Sequence, residues 1–391
     1  MPFFRRIQNS FARAALTVWL AGQFAAPTGW PQTSSNSFES LAARAQALLD
    51  SNPGEAASLY RQALALRPDW AEGWLYCGAS WYQVRRYADA AAAFRKGLAL
   101  SPGKGNAWGF LGLAEAELAD PAQAVADIRK GEQIGLGDNR PFEILVRTKA
   151  AQILVRSSLF DDAMAQLAPL TQSGDNPPEA QATMGLCALA IPRSLSDLSP
   201  PQRDAVGLAG KAAWALASQR PEEAAAAYRE LVERFPDQPG VHYAHGLYLQ
   251  ETDLAAAIAE FRQEVERDAR HWPSLIAMSV LETREGDPEA AIRSLQQAMS
   301  AVPAQYQWLW HAELGHANLT AGNVEQATAE LQISERLDSG NPQVHFFLAQ
   351  CYRRSGKKAD AERETMQFEK LKAEQDPLAV PGLRGLTLPR N

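Results

Sequence analysis

The pattern of apolar, small and polar positions repeats along the chain at an interval of 34 residues. Between Trp74 and Pro102, an apolar run with Gly78 inside it is followed by a second run that contains Ala90 and Phe94. A shift of one interval places Trp108, Gly112, Ala124, Ile128 and Gly131 on Trp74, Gly78, Ala90, Phe94 and Gly97. Apolar positions three or four residues apart are typical of amphipathic helices, and proline stops a helix. The pattern therefore predicts pairs of antiparallel helices, one pair for each interval.

The same marks return in both halves of the chain. They are Ala56, Tyr60, Ala63 and Pro68; Ala224, Tyr228, Leu231 and Pro236; Ala291, Leu295, Ala298 and Pro303; and Leu314, Gly315, Gly322, Asn323 and Ala327. A glycine in a helix interior costs about 0.5–1 kcal/mol relative to alanine. Its recurrence at Gly78, Gly112, Gly246 and Gly315 therefore indicates that a partner helix approaches closely there. Since neither helix of a pair can bury its apolar face alone, the pairs are expected to stack into one continuous core.

These marks resemble the tetratricopeptide repeat family, in which a 34-residue helix–turn–helix carries Trp, Leu-Gly, Tyr, Ala, Phe and Pro at set positions. The resemblance covers residues 37–373. It implies an all-α fold, a right-handed superhelical solenoid of helix–turn–helix repeats. It also implies a concave groove, lined by the first helix of each repeat, in which a protein or peptide binds.

The repeats are interrupted once. A helix is expected at 177–190 without a visible partner helix, and residues 191–202 hold three prolines and three serines, the composition of a loop. The sequence therefore predicts an export segment at 1–30, a linker at 31–36, an N-terminal array of about four repeats at 37–175, the unpaired helix and loop at 176–204, a C-terminal array at 205–373 and a flexible tail at 374–391. The run at 357–375 is charged and lacks a proline, so it is expected to form a capping helix.

Residues 1–30 have the order of a secretory signal peptide. Arg5, Arg6 and Arg13 precede an uncharged, mostly apolar stretch at 14–26, and small residues follow it. At about 1.5 Å per residue this stretch is too short to cross a ~30 Å hydrocarbon core as a helix. Export to the periplasm or the extracellular space is therefore expected, with no stable membrane span once the segment is removed. An amphipathic targeting helix or an uncleaved anchor is the alternative.

Composition narrows the classes of partner and site. The 391 residues hold 38 basic and 45 acidic side chains, a formal net charge of −7, so no nucleic acid partner is expected. Three cysteines cannot form a disulfide framework, and Cys77, Cys187 and Cys351 are expected to be buried thiols. The tryptophans Trp74, Trp81, Trp108 and Trp214 are assigned to packing rather than to a ligand-stacking ladder.

No motif predicts catalysis, a cofactor or a metal ion. His311 and His316 are five residues apart and point about 140° away from each other on a helix, whereas a metalloprotease helix spaces its histidines by four. His242 and His245 share a helix face, but no third ligand is visible nearby. The glycines at 97–105 do not have the spacing of a phosphate-binding loop, and no nucleophile elbow occurs. We therefore expect no enzyme activity.

The resemblance places partner-binding side chains on first helices, displaced from the buried glycine face. In this chain those positions hold Tyr82, Gln83, Asn106, Phe110, Glu117, Glu143, Arg147, Tyr243, Gln250, Arg284, His316, Phe346, Gln350 and Arg353. Such a mixture of polar and aromatic side chains suits an extended peptide or a protein surface. Some family members bind a C-terminal carboxylate with lysines and asparagines, but the matching positions here are Leu75, Ala79, Gly109 and Leu113. That binding mode is therefore not expected.

The sequence favours an exported scaffold that binds a protein or peptide in its concave groove, for envelope assembly or secretion-type complexes. The alternative is an accessory or oligomerisation subunit of a larger machine that uses its convex face or its cap. Exposure of Met366 and Phe368 on the last helix would favour that alternative. An enzyme is a third and less favoured class, because it would need polar residues brought together from distant repeats.

Overall fold

A computed structural model describes residues 37–118 and 120–375, and in this part of the chain the regular structure is helical. The predicted export segment at 1–30, the linker at 31–36 and the tail beyond residue 375 lie outside the described residues. Two compact units divide the chain between Ser157 and Ser158. This division falls before the loop at which the sequence predicts a junction.

Seven helices form the described part of the first unit. They are α1 (Phe38–Leu48), α2 (Pro53–Leu66), α3 (Ala71–Gln83), α4 (Tyr87–Leu100), α5 (Gly105–Glu117), α6 (Pro121–Ile134) and α7 (Arg140–Arg156). Helices α1 and α2, α3 and α4, and α5 and α6 pack as hairpins, and each hairpin packs on the next. The unit is therefore a stack of hairpins with α7 at its end.

Twelve α-helices form the described part of the second unit. They are α8 (Phe160–Thr171), α9 (Pro178–Ala188), α10 (Pro200–Ala217), α11 (Pro221–Arg234), α12 (Val241–Leu249), α13 (Leu254–Arg267), α14 (Trp272–Arg284), α15 (Pro288–Ala298), α16 (Gln307–Thr320), α17 (Val324–Leu337), α18 (Pro342–Arg354) and α19 (Lys358–Gln375). From α10 onward they pair in order, α10 with α11 through to α18 with α19. The final helix begins within one residue of the predicted capping helix.

Capping groups fix where many of these helices begin. The side-chain oxygen of Asn52 accepts the backbone N–H of Glu55, and that of Asp253 accepts the backbone N–H of Ala256. Proline stands in the first turn of α2, α6, α11 and α15, where its missing N–H costs nothing. These residues end the turn between two helices and begin the second helix, which keeps the turns of the hairpins short.

Small residues allow the two helices of a hairpin to approach closely, as the sequence predicts. A Cβ atom at Gly112 would lie 2.6 Å from the carbonyl oxygen of Ala124 on the partner helix, and one at Gly315 would lie 2.6 Å from the Leu331 side chain. Contacts this short are closer than atoms tolerate, so a larger side chain would force the helices apart.

The helix that the sequence left without a partner has one. A Cβ atom at Gly185 in α9 would lie 2.0 Å from the carbonyl oxygen of Val206 in α10, and one at Gly210 would lie 2.1 Å from the carbonyl oxygen of Gln181. The two helices therefore cross at Gly185 and Gly210, where each glycine faces the backbone of the other helix. The sequence leaves the pairing of this helix open because the loop at 191–202 separates α9 from its partner, so the 34-residue pattern does not reveal the pair.

The tryptophans and cysteines lie where the packing interpretation places them. The indole N–H groups of Trp74 and Trp108 donate to the carbonyl oxygens of Pro68 and Pro102, at 2.8 and 2.9 Å, so both rings lie over the preceding turn. Trp81 and Trp214 are buried. The thiols of Cys77, Cys187 and Cys351 are buried and free, and burial raises the pKa of each above its ordinary value.

We expect Gly185→Ala to lower the stability of the protein by about 1–3 kcal/mol, because its methyl group would push α9 away from α10. Gly207→Ala is the matched control, since Gly207 lies in the partner helix α10 but no atom lies within 4 Å of its Cβ position. The control should gain about 0.5–1 kcal/mol from alanine's helix propensity. Thermal unfolding followed by circular dichroism measures both, and equal midpoints for the two variants would contradict the close crossing.

Candidate functional site

The first helices of successive hairpins pack against one another and form an inner layer in each unit. In the first unit α3 contacts α5, and α5 contacts α7. In the second unit α12 contacts α14, α14 contacts α16, and α16 contacts α18. The inner layer is therefore the surface on which the family resemblance places partner-binding side chains.

The middle of the inner layer in the second unit is closed. Every residue of α14 from Pro273 to Thr283 is buried, although a helix at an open surface would expose one face. Tyr243 and Gln250, on and just after α12, are also buried. The placement of Tyr243 and Gln250 in an open groove is therefore wrong, whereas Arg284, just past the buried run, is exposed.

The start of α8 reaches this closed region. The hydroxyl of Tyr306 donates to the carbonyl oxygen of Ser158 at 2.6 Å. The Tyr243 ring packs on Phe261 and edge-on against His271, with centroid distances of 6.1 and 5.2 Å. Burial, and then the nearby negative charge of Asp161, raises the pKa of Tyr243. A segment of the same unit thus lies near the aromatic side chain that the sequence assigned to a partner.

Phe110 in the first unit is likewise a core residue. Its ring lies 4.4 Å from that of Phe142 and stacks on Phe94 at 5.9 Å, and its side chain is 1% exposed. Its assignment to an open groove is wrong because two aromatic rings from neighbouring helices cover it. Tyr82, which meets the Phe110 ring at 6.0 Å, is half-buried.

The charged candidates of the first unit are paired within the chain. Arg147 contacts Glu143 at 2.9 Å and Glu132 at 3.0 Å, and Lys149 contacts Glu117 at 2.6 Å. Hydrogen bonds from the arginines overcome the effect of burial and lower the pKa of Glu143. Gln83 and Asn106 are half-buried. A partner of this surface would have to compete with existing ion pairs.

Helix α18, the first helix of the final hairpin, carries an exposed row of residues that the sequence predicts to bind a partner. Phe346, Gln350 and Arg353 are spaced by four and three along α18, so they share one face, which we name the α18 stripe. Phe346 is 37% exposed, Gln350 is half-buried and Arg353 is exposed. The Phe346 ring also meets that of Phe368 on α19, at 5.4 Å.

His316 lies beside this stripe. Its ring stacks on Phe347 with centroids 4.1 Å apart, and its Nδ1 atom is 3.9 Å from Glu313. His311 instead contacts Glu330 on α17, at 2.6 Å. The two histidines therefore have different neighbours, as their spacing of five residues predicts.

A carboxylate that sequence reasoning missed joins His242 and His245. Their Nδ1 atoms lie 2.5 and 3.0 Å from the two oxygens of Glu260 on α13. Burial alone would raise the pKa of Glu260, but the two imidazoles lower it to about 2. The pair thus shares a face, as predicted, and both rings lie against one acid from the second helix of the hairpin.

The contact of His345 also went unnoticed in the sequence, although the repeat itself indicates it. His345 and Glu364 stand 34 residues after His311 and Glu330, and they make the same contact, at 2.8 Å.

Among the described helices, none has the length and apolar content required to cross a bilayer. Of the residues predicted to bind a partner, those of the α18 stripe form the main exposed group on the described surface.

The family model described as tetratricopeptide repeat matches residues 42–105, 210–271 and 312–367. No curated protein sequence matches the chain. Among solved structures, MamA from Desulfovibrio magneticus RS-1 is similar with 18% identity and a TM-score of 0.40, over 46% of this chain and 98% of that one. The APC/C hetero-tetramer Cut9–Hcn1 is similar with 15% identity and a TM-score of 0.36, over 93% and 82% of the two chains. Yeast Tom70 is similar with 14% identity and a TM-score of 0.27, over 88% and 97%. Because all three matched regions lie on stacked helical hairpins, the chain is a tetratricopeptide repeat protein.

Proposed function

We propose that this chain is an exported scaffold that binds a protein partner through the α18 stripe. Tetratricopeptide repeats are in general protein-interaction scaffolds rather than catalysts. The observation that carries the proposal is the contrast within one inner layer. Residues of α14 are buried on every side, whereas the α18 stripe leaves an aromatic ring and a guanidinium group exposed.

The chemistry of the α18 stripe supports an extended peptide segment as the bound element. Phe346 offers apolar surface, Gln350 offers an amide donor and acceptor, and Arg353 offers several N–H donors along one helix face. Arg353 already donates to the Thr365 hydroxyl at 2.7 Å, which orients its planar head and leaves further N–H groups for a partner. An aromatic residue beside an arginine is the composition of protein-interface hot spots.

The cap supports a second candidate, an accessory subunit that associates through the last helix. Met366 on α19 is 71% exposed. A large apolar side chain so exposed favours a protein contact, although a single one is also common on ordinary surfaces. The two candidates place the contact on different residues, so substitutions separate them.

We expect the double variant Phe346→Ala, Arg353→Glu to reduce partner capture from native cells by at least about tenfold, because it removes both anchors of the α18 stripe. Capture after chemical crosslinking is quantified by mass spectrometry, and circular dichroism checks that the variant is folded. The matched control is Met299→Ala, an apolar residue 60% exposed at the end of α15. Loss of capture in Met366→Glu, with the double variant retaining it, would contradict the proposal and favour the cap.

The basic and apolar order of residues 1–30 supports export to the periplasm or extracellular space, and a role in envelope assembly or secretion-type complexes. We expect N-terminal sequencing of the protein from native cells to give a start after the apolar stretch at 14–26. An intact Met1 would contradict export.

A further inference from the structure

His345 lies between two hydrogen-bond acceptors. Its Nδ1 atom is 2.8 Å from Oε2 of Glu364 on α19, and its Nε2 atom is 3.3 Å from the backbone carbonyl oxygen of Ser339. His345 is 3% exposed and Glu364 is 4% exposed, so solvent does not separate these groups. Both ring nitrogens of a buried histidine therefore face oxygens.

One tautomer of this ring leaves a lone pair for a metal ion. A neutral imidazole has one N–H donor and one lone pair, and neither a carbonyl nor a carboxylate oxygen can donate. When Nε2–H donates to Ser339, the lone pair of Nδ1 points at a carboxylate oxygen. A metal ion between Nδ1 and Glu364 would accept lone pairs from both groups.

A second carboxylate converges on the same place. One oxygen of Glu335 on α17 lies with His345 and Glu364 so that the three ligand atoms are within 4.8 Å of one another. Among the described residues, these three side chains are the group of metal-ligating residues whose ligand atoms converge within 4.8 Å. Glu335 is half-buried, so its carboxylate has room to rotate.

In the described residues, the two related histidine–glutamate contacts lack such a convergence of three ligand atoms. One repeat earlier, Ala301 stands at the position of Glu335, so the His311–Glu330 pair has no carboxylate there. His242 and His245 contact different oxygens of Glu260, and the ligand atoms of these three residues do not converge within that distance. The convergence at His345 is thus an addition to the repeat.

We propose that Nδ1 of His345 and the carboxylates of Glu364 and Glu335 bind a transition-metal dication such as Zn²⁺. One imidazole and two carboxylates match the ligands of zinc, whose Zn–N and Zn–O distances of about 2.0–2.2 Å place ligand atoms about 3.4 Å apart in a tetrahedron. Rotation of the Glu335 side chain closes the remaining gap, and water fills the fourth position. Magnesium prefers oxygen ligands alone and is not expected to bind.

The surroundings of the ring have the features of an outer shell. The Ser339 carbonyl accepts Nε2–H and so fixes the tautomer that leaves Nδ1 for the metal. Arg363 donates to Oε1 of Glu364 at 3.2 Å, which leaves Oε2 toward the ion. The ligands come from α17, α18 and α19, so the ion would fasten together the helices around the α18 stripe.

The experiment titrates the chelator-treated full-length protein with Zn²⁺ by calorimetry at pH 7.5. We expect one equivalent to bind, a raised thermal midpoint in its presence, and no binding of Mg²⁺. Glu335→Gln should weaken Zn²⁺ binding by at least about tenfold, because it removes a charged ligand. Since protons compete with the metal for the imidazole, the wild-type affinity should fall when the pH is lowered to 5.5.

Two matched variants serve as controls. Glu330→Gln alters the related pair beside His311, and Glu260→Gln alters the acid between His242 and His245, so neither should change Zn²⁺ affinity. Absence of saturable binding would overturn the proposal. Equal affinity in wild type and Glu335→Gln, or loss of binding in Glu260→Gln, would also overturn it. If Glu335→Gln does not fold, the visible spectrum of bound Co²⁺ decides, because thiolate bands would place the ion elsewhere.

Discussion

Close contact between paired helices is the constraint on which this structure depends. At Gly112, Gly185 and Gly315 a Cβ atom would meet the neighbouring helix at 2.6 Å or less. Hairpins can stack closely only where such small residues stand, since each hairpin has no core of its own and buries its apolar face on the next. The spacing of these contacts then decides which helices form the inner layer, and therefore which side chains any partner can meet.

The inner layer of the second unit is not uniform, and this difference gives the molecule its candidate site. Around α12 and α14 the layer is buried, and the hydrogen bond from Tyr306 to Ser158 brings the start of α8 close to Tyr243. In the described residues no further hairpin follows α19, and the α18 stripe is left exposed. In the proposed function, binding and structural cohesion are thus divided between different repeats of one array.

Periodicity predicted the features that each repeat forms locally: the hairpins, the small residues at helix crossings, the packing role of the tryptophans and the final helix. It failed where contacts join positions that the period does not relate. Tyr306 and Ser158 are 148 residues apart, so nothing in the local pattern marks Tyr243 as covered. Phe110 is covered by the ring of Phe142 on α7, a contact that the apolar pattern of α5 does not reveal. Glu335 is a departure from the repeat, with Ala301 in the related place, so only the folded chain brings it to His345.

The contrast between a closed and an open part of the inner layer is most directly tested by hydroxyl-radical footprinting of aromatic side chains in the native protein. Tyr243 on α12 is 5% exposed, whereas Phe346 in the α18 stripe is 37% exposed. Hydroxyl radicals hydroxylate aromatic rings that solvent reaches. The account predicts rapid hydroxylation of Phe346 and protection of Tyr243 until the protein unfolds. Equal hydroxylation rates for the two residues in the folded protein would contradict it.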